Sequence, residues 1–121
     1  MNEKNRQAKC RMEASRNRMF LWTNTRGKFQ TKDNRWIKYG IGPNGASDEI
    51  GFLEVEITQE MVGHKLPILS AIEMKIPGKD AVDNQQDFLD NMDRHNAVTG
   101  VAREPEDIPK IIRKWFTKFT N

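Results

Sequence analysis

The stretch Ala71-Ile72-Glu73-Met74-Lys75-Ile76, closed by Pro77-Gly78, constrains the fold more tightly than any other part of the chain. In an extended strand alternate side chains take opposite faces, so Ile72, Met74 and Ile76 share one side while Glu73 and Lys75 share the other. The segment from Ile68 to Ile76 is therefore expected to be a strand, and proline and glycine end it. A strand needs partners. The apolar, aromatic run Met19-Phe20-Leu21-Trp22-Thr23 ends at the turn-prone Asn24-Thr25-Arg26-Gly27 and reads as one. Arg35-Trp36-Ile37-Lys38-Tyr39, the loosely alternating Ile50 to Ile57 and Ala97-Val98-Thr99-Gly100-Val101-Ala102 read as others. Residues 50–57 and 68–76 are expected to pair antiparallel across a sizeable connection.

Three helices complete the pattern. Residues 3–17 lack proline and glycine, and Ala8, Met12, Ser15 and Met19 form a narrow apolar stripe. Val82, Phe88, Leu89 and Met92 give helical spacing around residues 83–94, and Pro105 opens a last helix with Ile108, Ile111, Ile112, Trp115 and Phe119 expected to face inward. The order α-β-β-β-β-α-β-α predicts an α/β (α+β) sandwich with strands central and helices against them.

A length of 121 residues suits a single domain over 1–121. With 36% hydrophobic and 31% charged residues, the chain is neither disordered nor a disulfide scaffold. Cys10 is the one cysteine and has no partner for a disulfide or a zinc site. No apolar run reaches the roughly 20 residues needed to span a bilayer, and the polar start resembles no export signal, so a cytoplasmic location is expected. Residues 1–40 carry eleven basic side chains against three acidic ones, whereas the remainder carries nine against fourteen. A basic half beside an acidic one suits a protein that grips phosphates and holds divalent cations, although a solvated helix face gives the same pattern.

Glu73 and Lys75 place a carboxylate and an ammonium side by side. A hard cation such as Mg²⁺ takes oxygen ligands, which Glu73, Asp48 and the Met74 backbone carbonyl can supply. Such an ion lowers the pKa of water and neutralises phosphate charge, while Lys75 can position the nucleophile or stabilise the transition state. On its own, E-x-K is the wet face of an amphipathic strand, and an aspartate after Gly-Ala-Ser is a turn or cap residue.

The combination says more. Gly40-Ile41-Gly42-Pro43-Asn44-Gly45-Ala46-Ser47-Asp48-Glu49-Ile50-Gly51 followed by Ile72-Glu73-Met74-Lys75-Ile76-Pro77-Gly78 resembles the virus-type replication-repair nuclease (VRR-NUC) family, a branch of the PD-(D/E)XK superfamily. Gln85, Phe88, Val101, Ala102 and Arg103 match the pattern downstream; Glu3, Gln7, Trp22, Asn24 and Gly27 fit it upstream. The chain departs from it in a long segment between Asp48 and Glu73 and in Thr23, where the family has an arginine. The resemblance implies a restriction-endonuclease-like core, a mixed central sheet flanked by helices. It implies that Asp48 and Glu73 hold Mg²⁺ or Mn²⁺, that Lys75 is the catalytic lysine and that Gln85 supports the site. Glu3 is the implied accessory acid, with Glu13 its competitor because the inward helix face is open. The implied activity is endonucleolytic cleavage of branched DNA such as Holliday junctions by a homodimer, in the host cytoplasm if phage-encoded.

Arg16, Arg18, Asn24, Arg26, Lys28, Arg35 and Lys38 are the candidate DNA contacts. The rival reading is a non-catalytic nucleic-acid-binding module; a third is hydrolysis of a small phosphoester. His64 and His95 lack partner ligands, and Cys10 lacks a histidine to make it a nucleophile. Trp36 and Tyr39 suit packing better than base stacking. Trp115 and Phe119 read as core or a subunit interface, while Lys110, Arg113, Lys114 and Lys118 form a phosphate track or plain solvated surface. Gly42 and Gly45 give the backbone freedom beside Asp48 rather than a phosphate cradle.

Overall fold

The computed structural model describes residues 2–120 and is a mixed α/β structure with three helices and small two-stranded sheets. It divides into two compact units, Met1–Thr58 and Gln59–Asn121.

In the first unit, α1 runs Glu3–Arg16. Asn2 caps it, its side-chain oxygen accepting from the Asn5 N–H at 2.8 Å, and a left-handed Arg18 (φ 63°) turns the chain out of it. The helix packs on β1, Met19–Thr23, through half-buried Gln7, Ala8, Arg11 and Ala14. The expected stripe through Met12 and Ser15 is thus displaced, and both of those residues are exposed. β1 pairs antiparallel with β4, Glu49–Leu53, setting Phe20 opposite Phe52 and Trp22 opposite Ile50. The Phe20 and Phe52 rings lie 5.3 Å apart and Trp22 lies 5.9 Å from Phe52, so one face of this ladder is aromatic.

An unexpected strand, β2 (Gly27–Gln30), pairs antiparallel with β3 (Trp36–Tyr39) as a ribbon. Its only large apolar residue is Phe29, too little for a strand signal. What makes it is the turn: Thr31 and Arg35 exchange backbone and hydroxyl hydrogen bonds, and Asn34 takes the left-handed conformation (φ 67°).

In the second unit, a short 3₁₀ turn (Gln59–Met61) precedes β5, Ser70–Met74, which pairs parallel with β6, Val98–Ala102. The expected antiparallel pairing of 50–57 with 68–76 is replaced: β4 takes β1, and β5 takes β6. A parallel neighbour needs a crossover, and α2 (Asp83–Arg94) supplies it. Leu89, Met92, Ala97, Val98 and Ala102 form the buried core. α3, Asp107–Thr117, packs on β6 through half-buried Ile111 and Trp115, whose indole N–H donates to the Asn96 carbonyl at 2.8 Å. Ile108, Ile112 and Phe119, expected to face inward, are exposed with Phe116, because one turn-to-turn row of the helix is enough to cover β6. No helix among the described residues is long and apolar enough to cross a membrane.

Gly51 sits where any Cβ would run into the Phe20 carbonyl across the β1–β4 ladder. Gly51→Ala is therefore expected to lower unfolding stability in urea by roughly 1–3 kcal/mol, the range of overpacked interiors; wild-type stability would refute the close approach.

Candidate functional site

Glu73 and Lys75 come together at the end of β5. Their side chains are only 28% and 20% exposed, with Lys75 Nζ 3.7 Å from Glu73 Oε1, while Met74 and Ile76 are 64% and 67% exposed. At this end of the strand the ordinary amphipathic pattern is reversed: the charged pair is partly covered while Met74 and Ile76 meet water, although Ile72, on the same face as they are, is half-buried. The Lys75 N–H donates to the Ala102 carbonyl at 3.0 Å, carrying the β5–β6 pairing one residue beyond the strand and fixing its backbone. At 3.7 Å the ammonium and carboxylate are neighbours without a short direct hydrogen bond, so the carboxylate keeps lone pairs free for another cation.

Two residues brace the segment that follows. Gln85, in the first turn of α2, accepts the Val82 N–H on its side-chain oxygen at 3.0 Å. Arg103, just past β6, donates to the Lys79 carbonyl at 2.7 Å and to Asp80 at 2.8 Å, tying the 79–82 connection to the same end of the ladder. Asp107 accepts the backbone N–H groups of Arg103 and Glu104, which hold its carboxyl below the ordinary aspartate value of 3.8.

Asp48 lies in the first unit, exposed, at the entry to β4. Its carbonyl accepts the Asn24 N–H at 2.7 Å. The loop before it turns through Gly42 and Gly45, both at φ +87°, so the expected need for backbone freedom there is met by geometry only glycine adopts easily. Asn24 holds this loop. It is 8% exposed, donates to the carbonyls of Ile41 (2.9 Å) and Ser47 (3.1 Å), and accepts the Ile41 N–H (2.8 Å). Arg26 adds bonds to the Gly42 and Ala46 carbonyls. Both residues were candidate DNA contacts on sequence; both have their polar groups turned into the protein. Of the other candidates, Arg16 pairs with Glu13, Arg18 with Glu54 and Arg35 with Asp33, whereas Lys28 and Lys38 lie on the exposed ribbon.

Comparison with protein-family models, curated proteins and solved structures returns no match.

The helix faces bear on the accessory acid. Glu3 is one turn before Gln7 and shares a side with Arg11 and Ala14, the side that packs on β1, although its own side chain is exposed; Glu13 is also exposed and is paired with Arg16 at 2.8 Å. Sequence reasoning passed over Glu49. Its carboxylate is 15% exposed and paired with Arg11 of α1, and its second oxygen has no hydrogen-bond partner. Alternation from Gly51 and Leu53 was the available signal. Among the described residues no three His, Cys, Asp or Glu side chains gather as a metal cage. Mg²⁺ seldom needs one, since one or two carboxylates with water and substrate phosphate hold it; by their chemistry Asp48 in the first unit, and Glu73 with the Met74 carbonyl in the second, are oxygen donors of the type it takes.

Asn24→Ala should cost roughly 1–3 kcal/mol in chemical denaturation, because it orphans buried loop groups, and should speed amide exchange at Ile41; unchanged exchange would show that the loop holds without it. Because the Asp107 pKa is depressed by folding, its stabilisation is full above about 3.8 and fades as pH falls below that. Thermal scans in acid should therefore find Asp107→Asn less pH-sensitive than the wild type.

Proposed function

We propose that the chain is a metal-dependent DNA endonuclease of PD-(D/E)XK type, in which Asp48, Glu73 and Lys75 carry the chemistry. The observation that supports this most is the covered Glu73–Lys75 pair: a plain amphipathic strand would bury Met74 and Ile76 and leave the charges in water. The sequence resemblance to virus-type replication-repair nucleases over nearly the whole chain supports it independently. In this reading the substrate is branched DNA such as a four-way junction. Two copies related by a twofold axis suit such a substrate, since symmetric sites address symmetric strands.

Asp48 and Glu73 provide carboxylate oxygens for Mg²⁺ or Mn²⁺, and Met74 a backbone carbonyl. When bound, the ion supplies Lewis acidity, lowering the pKa of a water and neutralising charge on a phosphate oxygen. Lys75 contributes a fixed positive charge beside Glu73, where it can orient the attacking water or stabilise charge that builds on the phosphoryl group. Gln85 and Arg103 do not touch substrate in this scheme. They hold the chain after Lys75 so that the lysine meets the phosphate in one geometry.

Incubation of a synthetic four-way junction and a linear duplex with Mg²⁺ or Mn²⁺, then with chelator, tests the reading. Cleavage should need the metal, and Glu73→Gln, Asp48→Asn and Lys75→Ala should each slow it by about a hundredfold or more, the scale of removing one charged transition-state group. Junction binding with no cleavage in any metal would instead favour a positioning module, and hydrolysis confined to free nucleotides would favour a small phosphoester.

A further inference from the structure

We propose that the β2–β3 ribbon is the arm that holds the DNA backbone, with Lys28 and Lys38 as its phosphate contacts. The proposal deepens the nuclease reading, on which its choice of substrate rests, by naming the part of the chain that grips it. Every residue of both strands is exposed. The register places Lys28 directly opposite Lys38, and like charges in that position weaken a ladder rather than support it. Such a pair is expected where an anion is to be received.

Gln30 and Trp36 pair two residues along, so alternation puts all four side chains on one face. Lys28 Nζ stands 5.2 Å from the centre of the Trp36 ring, a cation–π contact that steadies the ammonium while the indole stays 61% exposed. The ribbon's single acid, Asp33, is at the tip and is matched by Arg35 at 2.9 Å. Its carboxyl is held below the ordinary range by the Thr31 hydroxyl and by Arg35, so it remains charged but locally neutralised. Among the described residues no acid pairs with Lys28, Lys32 or Lys38, which leaves a surplus of positive charge on a narrow projection. DNA offers about one negative charge per 1.7 Å of axis, and its major groove admits a two-stranded ribbon. Contact with phosphates by these lysines positions the duplex without reading bases.

The test is anisotropy of a labelled four-way junction with the full chain in Ca²⁺ or chelator, as a function of salt. Lys28→Ala with Lys38→Ala should weaken binding about tenfold to a hundredfold near 0.1 M salt and reduce the salt slope by about 2, while the corresponding arginine pair should retain both. Thermal unfolding of the alanine pair should stay close to the wild type, because the relieved repulsion offsets the lost contact with Trp36. Wild-type affinity and slope in the alanine variant would overturn the proposal. So would equal loss with arginine, or displacement of the junction by polyglutamate as readily as by unlabelled DNA. Cleavage assayed in parallel with Mn²⁺ separates the two readings. Ribbon-dependent binding without any cutting supports the arm and sinks the nuclease, whereas cutting with ribbon-independent binding sinks the arm alone.

Discussion

The first unit depends on one buried amide. Among the described residues Asn24 is the only buried one in that unit, and every buried apolar side chain belongs to the second. With so little apolar burial, order in the loop 40–47 comes from satisfied polar groups, and Asn24 satisfies the backbone at Ile41 and Ser47 at once. Its own N–H reaches the carbonyl of Asp48, so the residue that closes the loop also sets the backbone of the proposed ligand. Glycine supplies the conformations and asparagine selects among them.

The second unit is built on the opposite principle. A small apolar core of Leu89, Met92, Ala97, Val98 and Ala102 holds a parallel ladder, and the ladder's end carries a charge pair that the core did not require. Covering Glu73 and Lys75 while leaving Met74 and Ile76 in water runs against the hydrophobic effect on that strand. Proteins concentrate such local conflicts at functional positions. Bracing by Arg103 and Gln85 on the adjoining connection is consistent with a geometry held against that tendency.

Much of this was legible in the sequence where a local rule decides. The ends of α1 and α2, the strands at Met19, Trp36 and Val98 and the glycine loop all follow from breakers and periodicity. β2 was not legible, since one phenylalanine among glycine, lysine and glutamine carries no pattern; its turn and its partner make it. Faces were harder than elements. α1 turns Gln7, Arg11 and Ala14 rather than Met12 toward β1 because Arg11 meets the carboxylate of Glu49, a long-range pairing that helical periodicity cannot reveal. On α3 five large apolar residues span more than one face, and only contact with β6 distinguishes Ile111 and Trp115 from the rest. For the candidate site, residue types and spacing announced Glu73 and Lys75, but their cover did not follow from alternation. Asn24 was noticed for a reason of resemblance, and its position shows a structural task that no polar side chain declares by its type.

The connection between β4 and β5 has one further consequence. From Glu54 to Leu69 it holds no regular structure beyond the short turn at Gln59–Met61, and nearly all of it is exposed. Backbone of that kind fits readily into a protease cleft. Lys65 is the sole lysine or arginine between Lys38 and Lys75, so the segment offers trypsin a single bond. One nick there would divide the chain into two fragments, each carrying one compact unit nearly whole, a natural seam for expressing the halves apart and recombining them.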